Sequence, residues 1–212
     1  MKILIACEES QSVCKEFRAL GHEAFSADLQ ECSGGHPEWH IQGDVKRVLQ
    51  DEWDLIIAHP ECRYIANSGV HCLHKDPPRW GKLDKACDFF NLFLNHPCPK
   101  ICIENPVPHK YALERFHGNQ KYTQTIQPWQ FGEDASKRTC LWLKGLPPLI
   151  PTDIIVKNKY ANQTPSGQNK LGPSPERAKL RSKTYSGIAK AMAAQWGRDA
   201  LPPSSEQFTL DL

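Results

Sequence analysis

Two side chains in this sequence have the chemistry to work as a pair. Cys62 stands in His59-Pro60-Glu61-Cys62-Arg63-Tyr64, directly after the apolar run of residues 53–58. A thiol at a strand end is a nucleophile when it has thiolate character, which a nearby Arg, His or helix N-terminus favours. His59 and Arg63 are its sequence neighbours. Glu104 closes the short apolar run of residues 100–103, in Ile103-Glu104-Asn105-Pro106. A carboxyl group against apolar strand ends holds its proton to higher pH than a solvated one. A nucleophile and an acid partner on neighbouring strand ends are therefore expected. The plainer reading makes Glu104 a turn residue before Pro106. Cys14, Cys87 and Cys102 lie inside apolar runs and read as small core residues.

A second set is acidic. Asp28 ends a β-like run about 20 residues beyond the first, where α/β nucleotide-binding folds place a carboxylate that accepts from ribose hydroxyls. Asp44 follows a third β-like stretch and suits an adenine amino group. Both also fit helix caps or turns. The first turn, Cys7-Glu8-Glu9-Ser10-Gln11-Ser12, has no glycine for close approach to a pyrophosphate, and its two carboxylates repel one. A nucleoside ligand without phosphates fits better, and S-adenosylmethionine is the common one. Cys32, His36 and His40, and His71, Cys72 and His74, have spacings that metals use. Gly34, Gly35 and Pro37 prevent the first set from sharing one helical face, there is no Cys-x-x-Cys pair, and no metal is expected.

The elements that must position these groups alternate. Residues 2–7, 23–28, 53–58 and 100–103 read as strands, and 125–131 and 139–144 as two further β-like runs. Residues 10–20, with Gly21 beyond, read as a helix. So do residues 80–95, with Leu83, Ala86, Cys87, Phe90, Phe93 and Leu94 on one face, and residues 186–200, with Ile188, Met192 and Trp196. Strand–helix alternation predicts a doubly wound α/β sheet with ligands at the carboxyl ends of its strands. Residues 1–200 form one domain in this reading, with 147–181 an extended or mobile loop and 201–212 a loose tail. The chain has 212 residues, 26 Lys and Arg against 24 Asp and Glu, and 40% apolar residues. That balance excludes a basic tail or an acidic solvating segment as the whole chain, and wholesale disorder. No apolar run reaches membrane-spanning length. Nine cysteines without a secretory signal read as reduced, cytosolic thiols.

The ordered set Cys7-Glu8-Glu9-Ser10, Ala27-Asp28-Leu29, Gly43-Asp44-Val45, His59-Pro60-Glu61-Cys62, Ile103-Glu104-Asn105-Pro106 and the segment from Phe131 through Leu143, with the final 186–196 helix, resembles cytosine-C5 DNA methyltransferases. It is most similar to the small single-domain forms carried by bacteriophages and prophages. The resemblance implies a Rossmann-like fold of the S-adenosylmethionine-dependent methyltransferase type, acting on DNA, duplex or single-stranded, in the cytoplasm of a bacterial host. It implies that the Cys62 thiolate adds to C6 of a cytosine out of its stack. Glu104 donates to N3 and the exocyclic amino group, and C5 takes the methyl group before losing its proton. By the same analogy Cys7, Glu8, Ser10, Gln11, Asp28, Asp44 and Pro60 contact the cofactor.

The sequence departs from that family in four places. Glu61 separates Pro60 from Cys62, where the family has Pro directly before Cys. The first turn lacks glycine. Ala135-Ser136-Lys137-Arg138-Thr139 aligns with a Gln-x-Arg-x-Arg motif, so Lys137 or Arg138 takes the base-orienting or phosphate role. Residues 147–181 replace a target-recognition domain, offering Lys157, Lys159, Lys170, Arg177, Lys179 and Arg181 to phosphates and predicting short or relaxed sequence specificity. Two alternatives stand beside this reading: C5 modification of a free nucleotide or RNA, and a catalytically decayed protein that binds nucleic acid or a protein partner.

Overall fold

Short runs of Ile, Leu and Ala with no polar interruption have no exposed face to offer, so they fold as interior parallel strands. β1 (Lys2–Ala6) and β4 (Leu55–Ala58) do so at the centre of the sheet, and Ile3 to Ala6 and Leu55 to Ala58 are all buried. The computed structural model describes residues 1–198 apart from 168, 173, 175 and 176, so the expected tail at 201–212 lies outside the described residues. β2 (Glu23–Asp28) and β3 (His40–Gln42) extend the sheet on one side of β1. β5 (Lys100–Pro106) pairs in parallel with β4 on the other. β7 (Thr139–Lys144) and β6 (Gln124–Ile126) add an antiparallel edge. The seven-stranded order is β3-β2-β1-β4-β5-β7-β6, a Rossmann-like doubly wound sheet whose winding reverses between β1 and β4. Such a switch point opens a crevice at the carboxyl ends of the strands.

Alternation along β1 and β4 divides the core in two. Leu4, Ala6, Ile56 and Ala58 face α3 (Arg79–Leu94) and the short α2 (Val45–Val48). Ile3, Ile5, Leu55 and Ile57 face α1 (Ser12–Ala19) and α6 (Ser186–Trp196). On the α3 side Phe90 stacks on Phe116 at 4.2 Å and meets the edge of Trp142 at 5.0 Å. α6 begins so close to the chain before it that a Cβ on Gly187 would lie 1.8 Å from the Phe131 carbonyl oxygen. Only glycine permits that approach.

The differences from the expected elements are local. β1 stops at Ala6 and α1 starts at Ser12 because Cys7 (φ 60°) and Gln11 (φ 56°) are left-handed. The first turn thus makes two sharp bends without glycine, a strain that ligand-binding turns store. β5 runs three residues past the apolar stretch, through Glu104 to Pro106, because β7 pairs with it to the end. Of the 125–131 run only Thr125 and Ile126 belong to a strand, and Phe131 makes an isolated bridge to Asp153, since Pro128 turns the chain into a 3-10 helix. The described part of residues 147–176 forms no helix and no strand longer than an isolated bridge. It is nonetheless fastened: Ile155 N donates to the Trp129 carbonyl at 2.8 Å, and Asn162 exchanges hydrogen bonds with the Ser136 backbone at 2.9 Å. A further helix, α5 (Arg177–Ser182), returns the chain to the body. No helix among the described residues is long and apolar enough to cross a membrane.

The aromatic cluster behind α3 makes the first prediction. Phe90→Ala removes a fully buried ring with two aromatic partners and lowers unfolding free energy by about 3–5 kcal/mol. The check is a urea titration, with the midpoint falling and the slope unchanged.

Candidate active site

The crevice at the switch point is a cavity of about 1230 Å³ lined from the carboxyl ends of β1, β2, β4 and β5 and from α3 and α5. Cys62 and Glu104 both line it, as do Cys7, Glu8, Ser10, Asp28, Asp44, Pro60 and Lys137. Gln11 and Arg138, expected there, do not.

The turn after β1 is built around two carboxylates. Glu8 accepts from Val13 N at 2.7 Å and Cys14 N at 3.2 Å, satisfying the first free amides of α1 from a buried position. Burial raises its pKa against the charge of His59 and those two hydrogen bonds. Glu9 bonds the Ser33 hydroxyl through one oxygen, and its other oxygen is buried without a partner. Ser10 Oγ pairs with Ser12 Oγ at 3.0 Å. Gln11, expected at the cofactor, is packed behind the cavity wall. It is 0% exposed, donates to the His36 carbonyl at 2.8 Å and accepts from His36 N at 3.1 Å, which spends its amide on holding the 33–39 loop. Burial pushes the Cys7 thiol up to about 12, with the charges of Asp28 and Asp44 adding to it, so this sulfur is an inert wall. The same coupling shows the three residues gathered. Asp28 accepts from Gln30 N at 2.9 Å and Asp44 caps α2 through Lys46 N at 3.0 Å. Their turn and cap roles therefore hold alongside their place on the cavity wall.

The opposite wall carries the candidate chemistry. After β4 the chain turns through Pro60, whose carbonyl accepts from Asn105 Nδ2 at 2.7 Å. The Cys62 carbonyl then accepts from Ile65 N at 3.1 Å and Ala66 N at 2.8 Å. These bonds fix a half-buried Cys62 at the rim. Burial raises its pKa, and the Glu104 charge raises it further, against Lys137 and Arg181. The carboxylate that acts on the thiol is Glu104, on the adjacent strand β5, while the neighbouring Glu61 is exposed.

Glu104 reverses the sequence expectation. Burial alone would raise its pKa, but the charge of Lys137, the hydrogen bond and charge of His59 and the hydrogen bond of Thr139 outweigh it and hold the group at about 2. Its Oε2 lies 2.9 Å from His59 Nδ1. It is a carboxylate, not a stored acid. Of the two basic residues, Lys137 lines the cavity, while Arg138 is exposed and does not.

Among the described residues, four buried side-chain atoms have no hydrogen-bond partner, and three of them belong to cavity residues: Glu9 Oε1, His59 Nε2 and Asn105 Oδ1. Buried polar atoms without a protein partner are satisfied by water, an ion or a ligand. The sequence reading gave Glu9 no cofactor contact, put Ala86 on the core face of α3 and passed over Lys82, Lys85 and Phe89, and all five line the cavity. The i, i+3, i+4, i+7 spacing of these four along α3 was a readable signal of a second helix face. Arg181 lines the cavity, whereas Lys157 pairs with Asp134 and the Lys179 side chain lies outside the described residues. His36 stacks on Trp39 at 3.8 Å and His40 bonds Ser26 Oγ at 2.9 Å, and among the described residues no three His, Cys, Asp or Glu converge to hold a metal.

No family model matches the chain, and no curated protein matches it. Solved structures do. One is described as a candidate DNA modification methyltransferase encoded within a prophage of E. coli, 14% identical over 72% of this chain and 51% of that one, TM-score 0.46. Another is the Entamoeba histolytica methyltransferase EhMeth, 16% identical over 72% of this chain and 57% of that one, TM-score 0.48. The chain spans little more than half the length of these structures.

Glu104 also generates a pH prediction. A carboxylate held below its ordinary 4.5 contributes stability that is fully present above that value and is lost as pH falls towards about 2. Stability followed by urea midpoint drops across that window in the wild type, and Glu104→Gln flattens this part of the curve. Equal slopes in the two proteins would contradict the assignment.

Proposed function

We propose that this chain transfers a methyl group from S-adenosylmethionine to C5 of cytosine in DNA, through a covalent bond from Cys62 to C6, with short or relaxed sequence specificity. The observation that carries the reading is the joint presence of Cys62 and Glu104 on one cavity whose other wall holds Asp28 and Asp44.

The cavity residues fit the cofactor. Glu8, Glu9, Asp28 and Asp44 come from the β1, β2 and β3 side, and they suit a ligand with ammonium and sulfonium charges better than one with phosphates. Asp28 suits the ribose hydroxyls. Leu29 (74% exposed), Val45 and Phe89 offer apolar surface for a purine ring. The cofactor supplies an electrophilic methyl group when bound.

The basic side chains come from elsewhere: Arg63 after β4, Lys82 and Lys85 on α3, Lys137 before β7 and Arg181 on α5. They suit the phosphates that flank a target base. Cys62 adds to C6 and Lys137 favours its thiolate form. The Glu104 carboxylate accepts a hydrogen bond from the exocyclic amino group, which fixes the ring against the sulfur.

The test is transfer from cofactor labelled in the methyl group. Wild type labels DNA, Cys62→Ala falls to background, and Glu104→Gln loses about 10²–10⁴-fold in rate. DNA carrying 5-fluorocytosine traps a covalent adduct on Cys62, because fluorine cannot leave C5 as a proton does. Wild type that matches Cys62→Ala on duplex and single-stranded DNA overturns the reading. Labelling of RNA or dCMP in place of DNA moves the substrate to those classes.

A further inference from the structure

A second groove shares no lining residue with the cavity. It holds about 530 Å³ between α1 and the 33–39 loop and is lined by Lys15, Arg18, His22, His36 and Trp39, with Ala19 and Gly21. Lys15 and Arg18 are three residues apart on α1, so the helix presents both cations to one side. Among the described residues neither makes an ion pair, and no carboxylate lines the groove. Lys15 Nζ donates to the Gly34 carbonyl at 3.3 Å. Arg18 Nε donates to the Ala24 carbonyl at 2.6 Å, and its guanidinium lies 4.8 Å from the Phe25 ring centre and 5.2 Å from that of Trp39. His36 stacks on Trp39 with ring centres 3.8 Å apart and planes 11° from parallel. Glu38, outside the lining, fixes the edge of the His36 ring at 3.1 Å, and Gln11 fixes its backbone on both sides. The His36 side chain is still 40% exposed. Phe25, Arg18, Trp39 and His36 therefore form a run of π and cation contacts that begins against the core and ends at solvent. Its members are ordered before any ligand arrives, which removes part of the cost of binding.

We propose that this groove is a second nucleic-acid site, outside the cavity, that takes single-stranded DNA. One unstacked base lies on the open end of the stack at His36, and the phosphates beside it meet Lys15 and Arg18. The choice of nucleic acid rests on the function proposed above, while the groove itself does not. Cations alone would suit any polyanion, but a fixed aromatic plate beside them suits a ligand that offers a π face and negative charge together. A duplex keeps its bases stacked and offers only the charge. The spacing of His36 that looks suited to a metal thus serves a stacked ring. The 33–39 loop also touches the cavity side of the molecule, since Ser33 bonds Glu9, so one loop borders both places.

The experiment irradiates the full chain with an oligothymidylate of about 12 nucleotides, one thymine replaced by photoreactive 5-iodouracil, and reads the crosslinked peptides by mass. A crosslink is expected on the peptide that carries His36 and Trp39. Its half-saturating oligonucleotide concentration rises about 5- to 150-fold in His36→Ala, the range for losing one stacked base. In Lys15→Ala the slope of log affinity against log salt at that crosslink falls by about 0.7, the value for one phosphate of a single strand. Both variants spare the fold: Gln11 bonds the backbone of residue 36, and Lys15 is an exposed helix position where alanine is favourable. Crosslinks confined to peptides that line the cavity, or a half-saturation unmoved in both variants, would overturn the proposal. Polyglutamate, which carries charge without bases, is expected to displace the oligonucleotide poorly, and equal displacement at equal charge also overturns it. Failure of the methylation reading looks different: the crosslink at residues 36–39 persists, in wild type and in Cys62→Ala, while no nucleic acid is methylated.

Discussion

A buried carboxylate must be compensated, and in this protein the cost of burying Glu104 organises the whole carboxyl edge of the sheet. Left alone in an apolar setting the group would stay protonated, or its charge would cost several kcal/mol. Two distant side chains, Lys137 from the chain before β7 and His59 from the turn after β4, prevent that together with the Thr139 hydrogen bond. Neither is near Glu104 in sequence. The strand order β4-β5-β7 is what brings the three together, since β5 lies between the other two and carries Glu104 near its carboxyl end. The cavity exists where these three elements end and where the winding of the sheet reverses. Its chemistry is set by which charges the edge had to gather.

The resulting cavity is divided in its electrostatics. Carboxylates come from the strands on one side of the switch point, and basic side chains from the loops and helices attached to the other. A ligand that is cationic at one end and a ligand that is anionic would each be drawn to a different wall. The thiol of Cys62 stands where both influences meet, its pKa raised by burial and by Glu104 and lowered by Lys137 and Arg181. Its reactivity therefore depends on small displacements of either wall.

Much of the frame was legible in the sequence, for physical reasons. β1, β4 and β5 are parallel and covered on both faces, so their apolar runs are uninterrupted. α3 shows its buried face by spacing, with Leu83, Cys87 and Phe90 inward. What was not legible depends on contacts between distant segments. Nothing local announces that Cys7 and Gln11 take left-handed conformations, because the usual signal, glycine, is absent. Gln11 was expected at the ligand from its place in the first turn, and the fold sets it behind the cavity wall, bonded to His36. The ionisation of Glu104 came out opposite to expectation for the same reason: its apolar strand is local information, while Lys137 and His59 arrive through the fold. Lys137 and Arg138 were equivalent as letters and became different once the chain was extended there.

The hydrogen bond from Asn105 to the Pro60 carbonyl has a bearing on how the protein ages. Asparagine side chains degrade chiefly when the backbone nitrogen of the following residue attacks the amide and closes a five-membered imide. Residue 106 is proline, and its nitrogen carries no hydrogen to lose in that attack. The amide that pins the turn between His59 and Cys62 is also 1% exposed, out of reach of bulk water. The fastening of the turn is thereby shielded from the spontaneous chemistry that converts such amides to acids, and the geometry around the sulfur is set to last as long as the chain itself.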